Sequence, residues 1–144
     1  MFGIDLKQKK EDTTVAIPSS IFIDRALAPL ESITEHLIDN EGLSFHEVAV
    51  LLNRDDRTIW TCYNRAQKKR QANPKPALYS KNFVSLPVTI FEDRTLAPLE
   101  SISLFLKEQE GLSYHEIALL VGRNDRTIWT CYNRAQKKLG VIAK

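Results

Sequence analysis

Shifting the sequence by 69 positions lays residues 21–69 over 90–138, and 35 of those 49 positions are identical. The chain is therefore a duplication, and self-similarity on this scale divides it into two small units instead of one ordinary domain. One unchanged block, Arg-Thr-Ile-Trp-Thr-Cys-Tyr-Asn-Arg-Ala-Gln-Lys-Lys, occupies 57–69 and recurs at 126–138. A core needs only similar residues, so full identity over such a block points to a shared ligand. A duplication too recent to have diverged is the alternative.

Between the copies, residues 71–82 carry Pro74, Pro76 and Ser80 without apolar periodicity, which reads as a solvated connection. The expected organisation is a tail over 1–14, a first domain over 15–70, a linker over 71–83 and a second domain over 84–144. Each domain opens with an extended, proline-containing arm, 15–22 or 84–91, rich in Val, Ile and Phe and expected as a short strand or packed extended piece. A domain of about 55 residues buries only about 60% of its unfolded surface and is marginal alone. The arms therefore offer a second source of stability. Paired within one chain they would make a pseudo-two-fold unit, and paired between chains a homodimer.

The rest of each copy reads as three helices, an all-α class. In the second copy the first helix is expected to start near Pro98 and stop at Gly111, with Leu99, Ile102, Phe105 and Leu106 on its apolar face. Ser113 and Glu116 form a capping box for the second helix, with Leu112 and Ile117 as a staple; Ser44, Glu47, Leu43 and Val48 repeat it. Gly122 then supplies a residue tolerant of positive φ, replaced in the first copy by Asn53, the next most tolerant type. Asn124-Asp125 offers an N-cap for the third helix, whose Ile128, Cys131, Tyr132 and Ala135 are spaced to face inward.

A net charge of +2 is too small to mark a polyanion binder, so the placement of charge matters more than its sum. The outer face of the third helix mixes Arg, Thr, Asn and Lys. A capped helix, a tight turn and a second helix with such a face form the helix-turn-helix arrangement that puts side chains into a major groove. The expected fold is thus two tandem three-helix helix-turn-helix domains with short extended arms. Nothing in the sequence has the spacing of a nucleophile–base pair, a phosphate loop or a ligand cluster, so neither an enzyme nor a cofactor is expected. His46 and His115 sit inside the capping boxes without companion ligands and read as solvent-facing, not as metal or catalytic residues. Cys62 and Cys131 occupy equivalent helical positions and read as free thiols. No run approaches the ~20 apolar residues of a membrane span and the first ten residues lack a signal-peptide core, so a cytoplasmic, nucleoid-associated protein is expected.

The stretch Glu116-Ile117-Ala118, Val121-Gly122, Arg126-Thr127-Ile128, Arg134-Ala135 and Lys137-Lys138-Leu139 resembles the promoter-reading C-terminal helix-turn-helix of bacterial sigma factors. The first copy matches through Glu47-Val48-Ala49, Leu52, Arg57-Thr58-Ile59, Arg65-Ala66 and Lys68-Lys69. Arg123 departs from the family pattern, which has an apolar residue there, and no counterpart of the sigma domain that grips melted promoter accompanies the repeats. The resemblance implies base reading by Arg57, Trp60, Thr61 and Asn64 and by Arg126, Trp129, Thr130 and Asn133. Arg65, Lys68, Lys69, Arg134, Lys137 and Lys138 would then meet phosphates, although basic helix ends also complement the helix dipole. Trp60 and Trp129 equally suit packing against the first helix or a partner.

The expected function is a sequence-specific double-stranded DNA-binding regulator reading a repeated half-site, inverted or direct. The linker's 13 residues span at most ~45 Å, enough for half-sites about one turn apart. The alternative is a sigma-like adaptor docking on RNA polymerase or another transcription protein, its acidic first helix (Glu31, Glu35, Asp39, Glu41) meeting a basic partner.

Overall fold

The computed structural model describes residues 15–75 and 83–140; the tail over 1–14 and the linker over 76–82 lie outside them. Copy one consists of β1 (Ala16–Pro18), a 3-10 turn (Ser19–Ile23), α1 (Pro29–Glu35) prolonged by a π-helical turn (His36–Asn40), α2 (Phe45–Leu52) and α3 (Asp56–Ala72). Copy two repeats the order as β2 (Ser85–Pro87), a 3-10 turn (Val88–Phe91), α4 (Pro98–Glu108), α5 (Tyr114–Val121) and α6 (Asp125–Lys138). The described residues are mainly helical with one two-stranded sheet. Among the described residues no helix is long and apolar enough to cross a membrane.

Local chemistry accounts for the helix limits. Pro29 and Pro98 open α1 and α4, where a missing N–H costs nothing, and Glu31 and Glu100 each accept the N–H of the preceding Ala28 or Ala97 at 2.9 Å. Ser44 and Ser113 cap α2 and α5 by accepting from the N–H of Glu47 and Glu116 at 3.1 Å, and both glutamates accept in return. Those helices end on left-handed residues, Asn53 at φ 56° and Gly122 at φ 67°. Asp55 and Asn124 then cap α3 and α6 through the N–H groups of Thr58 and Thr127, at 2.7 and 2.8 Å.

Helix α3 runs through Ala72, two residues into the stretch read as linker. The cause is Arg70, whose guanidinium is forked onto Glu35 of α1 by two bonds of 2.8 Å and donates to Asp24 at 2.6 Å, anchoring the last turn. In copy two Leu104 and Leu139 stand in place of Glu35 and Arg70, and α6 stops at Lys138 before Gly140 turns left-handed at φ 77°.

The arms join the copies within the chain. Strands β1 and β2 pair antiparallel with Ala16 opposite Pro87, Ile17 opposite Leu86 and Pro18 opposite Ser85. Ile17 and Leu86 are equivalent under the repeat, so the pairing is self-complementary: it places a local two-fold axis at that residue pair. The surroundings obey the same axis. Ser19 N–H donates to Val84 O and Val88 N–H to Val15 O, both at 2.9 Å, and the equivalent rings of Phe22 and Phe91 meet with centroids 6.5 Å apart. Each 3-10 turn packs on the other copy's middle helix, Ser19–Ile23 on α5 and Val88–Phe91 on α2. A three-residue ribbon is marginal by itself; here Ile17 and Leu86 are fully buried in one hydrophobic cluster that also takes in Ile33, Leu52, Ile59, Ile102, Val121 and Ile128.

Candidate nucleic-acid interface

Helices α3 and α6 each turn one face to the core and one to solvent. Ile59, Cys62 and Ala66, with Ile128, Cys131 and Ala135, are buried. At about 100° per residue, Arg57, Trp60, Thr61, Asn64 and Lys68 share an arc of about 100° on the opposite side, flanked by Arg65. Copy two places Arg126, Trp129, Thr130, Asn133, Lys137 and Arg134 in the same way. Arg57, Arg65, Lys68, Arg126, Arg134 and Lys137 are exposed, whereas Thr61, Thr130 and Asn133 are half-buried. Trp60 and Trp129 are 55% and 53% exposed, so neither packs into the core. Asn64 and Asn133 each donate a side-chain N–H to the carbonyl of Trp60 or Trp129 at 2.8 Å, which leaves the amide oxygen as the acceptor each can offer a ligand.

Two residues of the expected phosphate set have another attachment. Lys69 donates to Glu31 at 2.7 Å and Lys138 to Glu100 at 2.8 Å, and both carboxylates are nearly buried. Each ammonium thus satisfies the acid that caps the first helix of its own copy. On the acidic first helix of copy one Glu31 is held by Lys69 and Glu35 by Arg70, whereas Asp39, which accepts from the Tyr63 hydroxyl at 2.9 Å, and Glu41, 3.5 Å from His36, stay exposed. In copy two Glu108 accepts from Tyr132 at 2.7 Å, and desolvation followed by that bond pushes the phenol up to about 12.

Arg54 and Arg123 follow the tight turns; the sequence marked Arg123 only as a departure from the sigma-like pattern and gave neither residue a role. Arg123 donates to Phe22 O of the other copy at 2.7 Å and to Val121 O at 2.8 Å; Arg54 does the same to Phe91 O and Leu52 O, at 3.2 and 2.6 Å. Burial lowers both guanidinium groups from their ordinary value, yet an arginine remains charged at neutral pH. The departure noted at Arg123 was the available signal, and Arg54 is its equivalent under the repeat: a basic residue there ties each arm to the opposite turn. The Asp24–Glu35–Arg70 cluster was also missed, and the simultaneous Glu35/Leu104 and Arg70/Leu139 exchange between copies was its trace.

His46 and His115 are exposed as expected, and each also lies against the first residue of the following helix, Asp56 or Asp125, at 3.2 and 3.1 Å. Cys62 and Cys131 are free, and burial raises both thiols, so they are protonated at neutral pH. Among the described residues no group of three His, Cys, Asp or Glu side chains is arranged to hold a metal ion. The chain matches no protein-family model, no characterised protein and no solved structure.

Chemically, the two outer faces can do the same four things. Arginine can donate bidentately to guanine, threonine can touch a thymine methyl, and an exposed indole offers an apolar edge or a stacking surface. The remaining arginine and lysine supply charge for a phosphate backbone.

Proposed function

We propose that the protein is a sequence-specific double-stranded DNA-binding regulator, acting in the cytoplasm at the nucleoid, built from two helix-turn-helix copies that insert α3 and α6 into the major groove. The observation that carries this reading is the twofold presence of an identical, outward-facing Arg-Trp-Thr-Asn-Lys stripe on a helix that follows a capped helix and a left-handed turn. Arg57, Thr61, Arg126 and Thr130 read base edges, with the oxygens of Asn64 and Asn133 as acceptors and Trp60 and Trp129 beside them. Arg65, Lys68, Arg134 and Lys137 hold phosphates; Lys69 and Lys138 buttress the helix from the side through Glu31 and Glu100.

The adaptor reading rested on an acidic first helix free to meet a basic partner such as a surface of RNA polymerase. Two of those carboxylates, Glu31 and Glu35, are paired with Lys69 and Arg70 within the chain, which takes half of that acidic face from a basic partner and favours DNA. Selection of bound duplexes from a random pool tests the proposal: a recurrent motif should emerge, and replacing Arg57 and Arg126 by Ala should relax it at one position of each half. Replacing Lys68 and Lys137 should instead weaken every sequence alike. Recovery of no motif, or parallel losses on specific and scrambled DNA in both double variants, would return the stripe to protein docking.

A further inference from the structure

The paired arms set how the two copies stand. Because β1 and β2 meet with Ile17 opposite its own equivalent Leu86, the relation between copies is a rotation of about 180° and not a translation. The cross-copy bonds from Arg54 to Phe91 and from Arg123 to Phe22 repeat that relation on both sides of the axis, and the 3-10 turns lock each arm onto the opposite α2 or α5. A rotation about an axis leaves height along that axis unchanged. The outer faces of α3 and α6 therefore lie at the same level along that axis and are exchanged by it.

From this we infer that the ligand of the proposed DNA-binding face is a palindrome, and that one chain is sufficient to read all of it. The inference rests on the DNA-binding reading and adds its symmetry. Duplex DNA has dyads perpendicular to its own axis, and rotation about one exchanges the strands, so a protein with two identical readers related by a two-fold makes identical contacts only on an inverted repeat. A direct repeat needs a translation along the duplex, which the antiparallel ribbon forbids without parting Ile17 from Leu86. The stripes themselves are matched: Trp60 and Trp129 are exposed to 55% and 53%, and both asparagine amides fold back at 2.8 Å. The halves of the site should accordingly be equal in sequence and in energetic weight. The chain is in effect a dimer made covalent, and it gains its second half-site without an assembly step, at an effective concentration fixed by the arms.

The test uses the full chain and duplexes carrying the selected half-site in inverted, direct and single arrangements at centre spacings around one turn. The inverted form should be bound at least tenfold more tightly than any direct form, as a 1:1 complex, and five extra base pairs at its centre should remove that advantage. R57A and R126A, each alone, should lose equal affinity on the palindrome. A chain lengthened by ten Gly/Ser residues between Lys75 and Phe83 should keep the same optimum spacing, because the arms and not the tether hold the copies. Equal affinity for direct and inverted repeats, or a spacing optimum that broadens with the longer tether, would overturn the inference while leaving DNA binding intact. Failure to bind even a single half-site would remove the DNA reading, and the palindrome with it.

Discussion

Lys68 and Lys69 are neighbours of the same charge, yet one turn of about 100° per residue separates their surroundings. Lys68 is exposed, whereas Lys69 is fastened to a nearly buried Glu31, and Lys137 and Lys138 divide in the same way. Replacing Lys69 and Lys138 by Ala should lower stability by about 1–3 kcal/mol per site, the scale of a buried carboxylate losing its donor. Thermal melting and DNA titration of the two double variants check this; a larger affinity loss than stability loss for K69A/K138A would show that these ammonium groups reach the ligand. A second residue-level contrast lies at the turns. A Cβ on Gly122 would come within 3.1 Å of the Ile23 Cα while the backbone stays at positive φ, so Gly122→Ala should destabilise by about 1–3 kcal/mol. Asn53 tolerates the same conformation and donates to Glu92 O at 3.0 Å, so Asn53→Ala should cost backbone strain and that bond without an added clash. Equal melting temperatures for wild type and G122A would contradict the close approach.

Helix limits were the most legible features of the sequence, because caps are local. Ser44, Ser113, Asp55 and Asn124 cap the helices that follow them, and Pro29 and Pro98 take the first helical position, each acting within a turn of where it sits. The cross-copy contacts were not legible. Arg123 and Phe22 are 101 residues apart and Arg54 and Phe91 37, and nothing near either arginine names its acceptor. The candidate stripe on α3 and α6 followed from helical spacing alone, but the diversion of Lys69 and Lys138 depends on where α1 and α4 pack, which spacing does not encode. The two copies also differ at the end of the first helix, where copy one has His36 and copy two Phe105. Burial, outweighing Glu41, lowers His36 from its ordinary 6.5. The unfolded chain then binds the proton more readily, so stability contributed by the neutral ring is held above pH ~6.5 and is lost as pH falls below it. His36→Phe should flatten the stability profile on the acid side of pH 6.5; an unchanged slope would place that pH dependence elsewhere.

At the scale of the molecule, the arms join the two copies around one hydrophobic cluster, which predicts that they unfold as one body. Ile17→Ala should remove about 2–5 kcal/mol and shift a single unfolding transition, with amide exchange accelerating in α3 and α6 together. Loss confined to copy one would mean the copies unfold separately. The same body presents α3 and α6 as paired outer faces, and the central claim is that these faces hold duplex DNA. The most direct measurement is the affinity of the full chain for duplex DNA as a function of salt, compared with a variant in which Arg57, Lys68, Arg126 and Lys137 are all Ala. A complex should form at micromolar protein in low salt and weaken steeply as salt rises, with a slope near −0.9 per phosphate contact, and the variant should fold but lose most of both the affinity and the slope. No complex at low salt, or a folded variant that binds as the wild type does, would contradict that claim.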